Sequence, residues 1–284
     1  MEYQLRIRCL VAAPVLGWFA YSLFDSWRAA FTTGALIVAA VFVLVLVFQR
    51  NSPTDVGLPP IEDYHPSADI APLEAESAVA EPTRSVRETF AVVIKDRMVM
   101  TLGAAYFLLK PARYAILLWG PVIVAERLQG ADNFVAITVP IAFGIAGVLA
   151  PILIGRISDK VFKARRIPAC VLSLVALTMV LALFTPLTAA GNVWIMVAVL
   201  AVIGLTIYGP DAMISCVSAV DFGTSKHAGA AAGIVNGCGS IGAIFGGLLP
   251  GYLDTTTLFY GFAGAAFLAM LLLLPHWNRM PAAD

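Results

Sequence analysis

The feature that most constrains this chain is a recurrence of apolar windows, each close to the roughly 20 residues that a helix needs to cross about 30 Å of hydrocarbon. Eight such windows follow one another, at residues 7–25, 28–49, 98–125, 133–155, 167–187, 192–218, 228–252 and 255–275. They are continuous apolar runs, not short alternating segments, which disfavours a barrel and predicts an all-α membrane protein of about 8 transmembrane helices. Composition agrees: 60% of residues are hydrophobic, 13% are charged and the mean hydropathy is +0.87, outside the range of water-soluble domains. Because the windows run the length of the chain, the first does not read as a signal peptide ahead of a soluble body. Pro111, Pro140 and Pro210 fall inside windows, where neighbouring helices of a bundle can satisfy the backbone groups that proline frees.

A polar stretch, 51–97, separates the second window from the third and carries Pro53, Pro59, Pro60, Pro66, Pro72 and Pro82 with half of the acidic residues. It reads as an aqueous linker, mostly disordered, with a short helix near Val86–Ile94. The expected organisation is therefore two helices in 1–50, the linker in 51–97, six helices in 98–278 and a tail in 279–284. Lys+Arg 18 balances Asp+Glu 18, so only the placement of charge informs. With the linker in the cytoplasm, Arg6, Arg8, Arg50, Arg84, Arg87, Lys95, Arg97, Arg156, Lys160, Lys163, Arg165, Arg166, Lys226 and Arg279 all fall on that side, against Arg28 and Arg127 on the other. The positive-inside rule then predicts a multi-pass protein with both termini cytoplasmic.

Lys110 and Arg113 remain, near the middle of the third window and too deep for easy snorkelling. A cation at that depth is costly and normally faces a cavity or a partner. Tyr106 and Tyr114 lie four residues to either side of Lys110, and Arg113 three beyond it, which puts all four on one helix face, so two cations with phenolic donors form a stripe suited to a small multiply charged anion. Arg offers a planar fork of donors matching phosphate or carboxylate, and Lys a mobile point charge. The other reading of the pair is a structural ion pair with a buried acid such as Asp211 or Asp221.

In the sixth window, Pro210 is expected to kink or loosen the helix near Tyr208, and Asp211 is either a charge partner that neutralises Lys110 in the empty site or an acid near the cytoplasmic third with water access. The seventh window repeats small residues, Gly229, Gly233 and Gly237, then Gly242 and Gly246, Gly247 and Gly251, a pattern that lets helices approach closely. Asn236 and Ser240 give it a polar edge that could border the same cavity. The loop after the fourth window combines Gly155, Asp159, Lys160, Arg165 and Arg166. Cys9, Cys170, Cys216 and Cys238 lie far apart in apolar segments, and His65, His227 and His276 are equally scattered, so neither a metal site, a cofactor nor a catalytic nucleophile is expected. An enzyme is disfavoured.

The order of that loop, Gly155 through Asp159-Lys160 to Arg165-Arg166, resembles the cytoplasmic loop signature of the major facilitator superfamily, in which the acid latches helix ends and gates the cytoplasmic side. Within that superfamily the chain resembles the organophosphate:phosphate antiporters, which carry glycerol phosphate, hexose phosphates or phosphoglycerate, and their sensor relatives. The matching residues are Trp27-Arg28-Ala29-Ala30-Phe31, Ser52-Pro53 with Val56-Gly57-Leu58-Pro59-Pro60-Ile61-Glu62, Arg113-Tyr114 through Trp119 with Pro121, Ser158-Asp159-Lys160-Val161-Phe162, Ile207-Tyr208-Gly209-Pro210, and Ala228-Gly229 through Ala232-Gly233. The resemblance implies a chain equivalent to helices 5–12 of a major facilitator fold, truncated at its N-terminus, with Arg113 as the arginine that holds the substrate phosphate and Tyr208 lining the cavity. It departs from glycerol-phosphate members at Lys110, where they tend to carry tyrosine, and at Ser240, where an aromatic is expected.

The implied function is exchange of an organic phosphate ester for inorganic phosphate by alternating access across the plasma membrane, the inner one if the source is bacterial. The substrate-binding candidates are Arg113, Lys110, Tyr114, Tyr106, Tyr208, Asn236 and Ser240, with Asp211 as coupling partner. The expected partners are a phosphorylated anion, inorganic phosphate and the lipid bilayer, without nucleic acid. The alternatives are a sugar-phosphate membrane sensor, for which a sensor kinase would be a partner, and an inactive remnant.

Overall fold

The computed structural model describes residues 27–50, 57, 86–130, 132–163, 165–218 and 228–278, and every regular element among them is helical. The first window, 7–25, most of the 51–97 stretch and the 279–284 tail lie outside the described residues. Two units are present. In the first, α1 (Trp27–Phe48) is a 22-residue apolar helix, long enough to cross a membrane.

The second unit begins at Val86. It comprises α2 (Val86–Ile94), α3 (Arg97–Arg127), α4 (Asn133–Thr138), α5 (Ile141–Lys160), α6 (Arg166–Ala182), α7 (Phe184–Thr188), α8 (Val193–Ala212), α9 (Ala228–Leu248) and α10 (Thr255–Leu273). Side-chain caps set where three long helices begin: Asp96 accepts from the Met98 and Val99 N–H groups, Asn192 from Trp194 and Ile195, and Asp254 from Thr257. The short helix expected at 86–94 is present as α2. Helices occupy all six later windows, five of them long and apolar enough to cross a membrane and that at 167–187 shorter; two are interrupted, α4 and α5 meeting at Val139-Pro140, and α6 and α7 at Leu183. The closest pairings are α3 with α9 and α5 with α8, while α6 and α10 pack on each other and on these pairs.

Proline and glycine explain how the pairs come so close. Pro111 removes the donor that would serve the Phe107 carbonyl four residues earlier, and Gly242 of α9 faces that carbonyl so closely that a Cβ there would collide with it. Gly239 similarly faces the Tyr106 ring, and Gly246 the Pro111 carbonyl. The close-packing stripe of α9 is therefore Gly239, Gly242 and Gly246. The expected triplet Gly229, Gly233 and Gly237 points elsewhere, is exposed and meets no atom within reach of a Cβ. Spacings of three and four keep the first set on one face, whereas a face shifted around the helix carries the second.

A loosening occurs close to Pro210, on its C-terminal side. The α-helix continues through Tyr208 and Pro210 to Ala212, and the loosening follows it, as a π-helical turn at Met213–Ser218. Upstream, the Thr206 carbonyl that loses its donor to Pro210 accepts a hydrogen bond from the Ser173 hydroxyl of α6 at 3.1 Å, which holds the α-helical course there. Gly242→Ala is expected to cost about 1–3 kcal/mol through overpacking against the Phe107 carbonyl. Thermal unfolding in detergent should show a lowered midpoint for that variant and none for Gly233→Ala.

Candidate functional site

Midway along the 31-residue α3, the register brings Tyr106, Lys110, Arg113 and Tyr114 to one face, as their spacing predicts. Asp211 reaches them from α8: its Oδ2 accepts from Arg113 Nη1 at 2.5 Å, and its Oδ1 lies 3.7 Å from Lys110 Nζ. Asp211 is only 8% exposed, so it is not the water-accessible acid of the second expectation. Asp221, the other acid considered, lies outside the described residues. One carboxylate thus faces two cations, and the cluster carries a surplus positive charge. Asp211 Oδ1 and Arg113 Nε are buried without a hydrogen-bond partner, so the cluster has polar capacity that the protein does not fill.

The tyrosines contribute through their faces as well as their phenol groups. Lys110 Nζ sits 4.6 Å from the Tyr106 ring centroid and 5.2 Å from that of Tyr114, while the Arg113 guanidinium lies 4.3 Å from the Tyr208 ring. In desolvated surroundings each such cation–π contact contributes on the order of 2 kcal/mol. Two of the rings rest in glycine notches: Tyr106 against Gly239 of α9, and Tyr208 against Gly147 of α5, where a Cβ would strike the ring. Tyr208 also packs on Phe143, with centroids 5.2 Å apart. Asn236 and Ser240 lie outside this cluster, on the exposed edge of α9. The Asn236 amide donates to the Ser215 carbonyl in the π-helical turn and to the Ala232 carbonyl, and the Ser240 hydroxyl donates to the Asn236 carbonyl.

Both ends of the unit are tied. At one end Arg166 Nη1 bonds Asp159 Oδ1 at 2.7 Å, and the fully buried Ser158 hydroxyl donates to the Arg165 carbonyl. Arg165 reaches Asn278, and Phe162 meets Trp277 edge to face. Gly155 and Lys160 take no part in that pairing as seen here: Gly155 has open space around it and Lys160 is exposed.

At the other end Arg127 Nη2 donates to the Thr256 and Thr185 hydroxyls at 2.8 and 3.2 Å, Thr255 bonds Glu126, and Phe184 stacks on Phe259. Sequence reasoning placed Arg127 only as an outer-side charge. Its partners lie 58 and 129 residues away with no local spacing to announce them. A groove of about 320 Å³ along α3, α9 and α10 is lined by apolar residues such as Phe107, Phe245 and Phe262 and is separate from the charged cluster. Among the described residues, no group of His, Cys, Asp and Glu is placed to hold a metal ion.

Several of the helices are long and apolar enough to cross a membrane, and the Major Facilitator Superfamily model matches residues 9–220. The chain belongs to that superfamily. It is 29% identical over 279 residues to the glycerol-3-phosphate transporter of Bacillus subtilis, covering 96% of this chain and 61% of that protein. It is 30% identical over 276 residues to a probable hexose phosphate transport protein of Chlamydia pneumoniae, covering 93% and 60%. Against the membrane sensor protein UhpC of Salmonella typhimurium it is 27% identical over 273 residues, covering 91% and 58%. The chain thus spans about 60% of the length of these relatives. The family resemblance carried by its motifs is borne out.

The surplus charge makes the cluster's stability asymmetric. Arg113→Met leaves a neutral Lys110–Asp211 pair, whereas Asp211→Leu leaves two buried cations facing each other. The second variant is expected to lose about 3–5 kcal/mol and the first clearly less, an order that thermal unfolding of the two variants checks.

Proposed function

We propose that this chain carries the phosphate-binding half-site of a membrane carrier that exchanges an organic phosphate ester for inorganic phosphate by alternating access. The observation that carries this reading is the pair of cations set against one acid at mid-depth in the bundle, which leaves a net positive charge for an anion to complete. Arg113 would grip the phosphoryl group with its fork and Lys110 would supply a second positive charge, with Tyr106, Tyr114 and Tyr208 walling the site. Asp211 is the charge partner that holds both cations in the empty state. Asn236 and Ser240, outside the charged cluster, would meet the organic part of the substrate. The names of the Bacillus and Chlamydia relatives support a phosphorylated substrate of the glycerol phosphate or hexose phosphate kind.

The Asp159–Arg166 pair, with Gly155, Lys160 and Arg165 beside it, would close the cytoplasmic side, and the distribution of basic residues favours both termini in the cytoplasm of a plasma or bacterial inner membrane. No catalytic step is assigned. A sensor of the same ligand is the second reading, favoured by the Salmonella relative's name.

Phosphate exchange by the full chain in proteoliposomes tests the carrier. Arg113→Ala is expected to weaken phosphate binding about 10- to 100-fold, the loss of charge-assisted hydrogen bonds, and to abolish exchange, while Arg113→Lys retains part of both. Undiminished binding in Arg113→Ala would overturn the assigned role. Phosphate binding without exchange would favour the sensor.

A further inference from the structure

The geometry of Asp211 points to a more specific property of this site, one that rests on its reading as an anion site: we propose that the anion seats together with one proton, taken up by the Asp211 carboxylate. With Asp211 ionised, Lys110 and Arg113 leave a single positive charge uncompensated. A doubly charged phosphoryl group would turn that surplus into a net negative charge inside the bundle. Its oxygens would also compete with Asp211 Oδ2 for the same Arg113 fork and would lie beside a carboxylate of like sign. Ejecting the acid is not open to it, because Asp211 is buried on α8 between α3 and the turn that follows.

Adding a proton resolves the conflict. The carboxylate takes one proton from water to become a neutral acid, no other bond changes, and the new O–H becomes a donor to the anion instead of a repelling neighbour. Oδ1 is the atom suited to receive it, since it has no hydrogen-bond partner and stands apart from Lys110 at 3.7 Å, whereas Oδ2 is engaged by Arg113. When the anion leaves, the proton leaves with it and the acid returns to the two cations.

The charged and titratable groups facing Asp211 are Lys110, Arg113, Tyr106 and Tyr114 from α3 and Tyr208 from its own helix. Among the described residues, the other packed helices bring no competing charge to this depth. The charged residues of α5 are confined to its last two turns, Arg156, Asp159 and Lys160, that of α6 is Arg166 at its start, and α9 and α10 have none.

The test uses the full chain in detergent with two probes. Inorganic phosphate, titrated calorimetrically in buffers of different ionisation heat, should drive uptake of about one more proton per bound anion in the natural protein than in Asp211→Asn. Sulfate, which keeps its double charge between about pH 6 and 8, should bind the natural protein up to about tenfold more tightly per unit fall in pH. Its binding to Asp211→Asn should be tighter at neutral pH and independent of pH, and Asp211→Glu should restore the dependence. If Asp211→Asn does not fold, the sulfate profile of the natural protein decides alone: a flat profile overturns the proposal and leaves the anion site standing. Equal proton uptake by the natural protein and Asp211→Asn does the same. Failure of both anions to bind either protein would overturn the anion-site reading itself, and this inference with it.

Discussion

A cation carried into a bilayer must bring its own solvation with it, and the middle of this bundle is organised around supplying it twice. Lys110 and Arg113 share Asp211, the only acid of α8, and what one carboxylate cannot provide is made up by aromatic faces. The arrangement is deliberately incomplete in the sense that matters for binding: its positive charge exceeds its negative charge, and two of its polar atoms are buried unfilled. A fully balanced pair would be a structural staple, whereas this one keeps a surplus positive charge, the observation on which the proposed anion site rests.

That cluster depends in turn on residues with no chemistry of their own. The Tyr106 and Tyr208 rings can reach their positions only because Gly239 and Gly147 lack side chains. α3 and α9 meet closely where Pro111 has left the Phe107 carbonyl without its helical donor and Gly242 lets it approach the backbone. On α8, the carbonyl released by Pro210 is taken up by Ser173, and the α-helix runs on through Tyr208 and Asp211. Backbone defects in one helix are answered by side chains, or by their absence, in another.

Much of this was legible in the chain. Hydropathy windows located the helices because a lipid-facing helix must be apolar over its whole length, and the buried cations stood out because charge at that depth is rare. Spacings of three and four from Lys110 placed Tyr106, Arg113 and Tyr114 correctly on one face with it. Three features were less visible, for physical reasons. That the tyrosines would offer ring faces to the cations depends on side-chain orientation, which spacing does not determine. The choice of Gly239, Gly242 and Gly246 over Gly229, Gly233 and Gly237 depends on which face of α9 meets α3, and nearly every turn of that helix has a small residue to offer. The Arg127 clamp joins three segments far apart in the chain, and polar contacts of that kind leave no periodic trace.

The π-helical turn after Asp211 has a consequence of phase. A turn that accommodates an extra residue sets everything beyond it back by one place, which in an α-helix is roughly 100° of rotation about the axis. Residues inside the turn therefore leave the register set by Tyr208 and Asp211, and Ser215 offers its carbonyl to the Asn236 amide of α9 at 3.1 Å. Shortening that turn by a single residue would leave each contact of the charged cluster in place and carry the Ser215 carbonyl away from Asn236. In this bundle, the length of one turn sets an orientation that no single side chain controls.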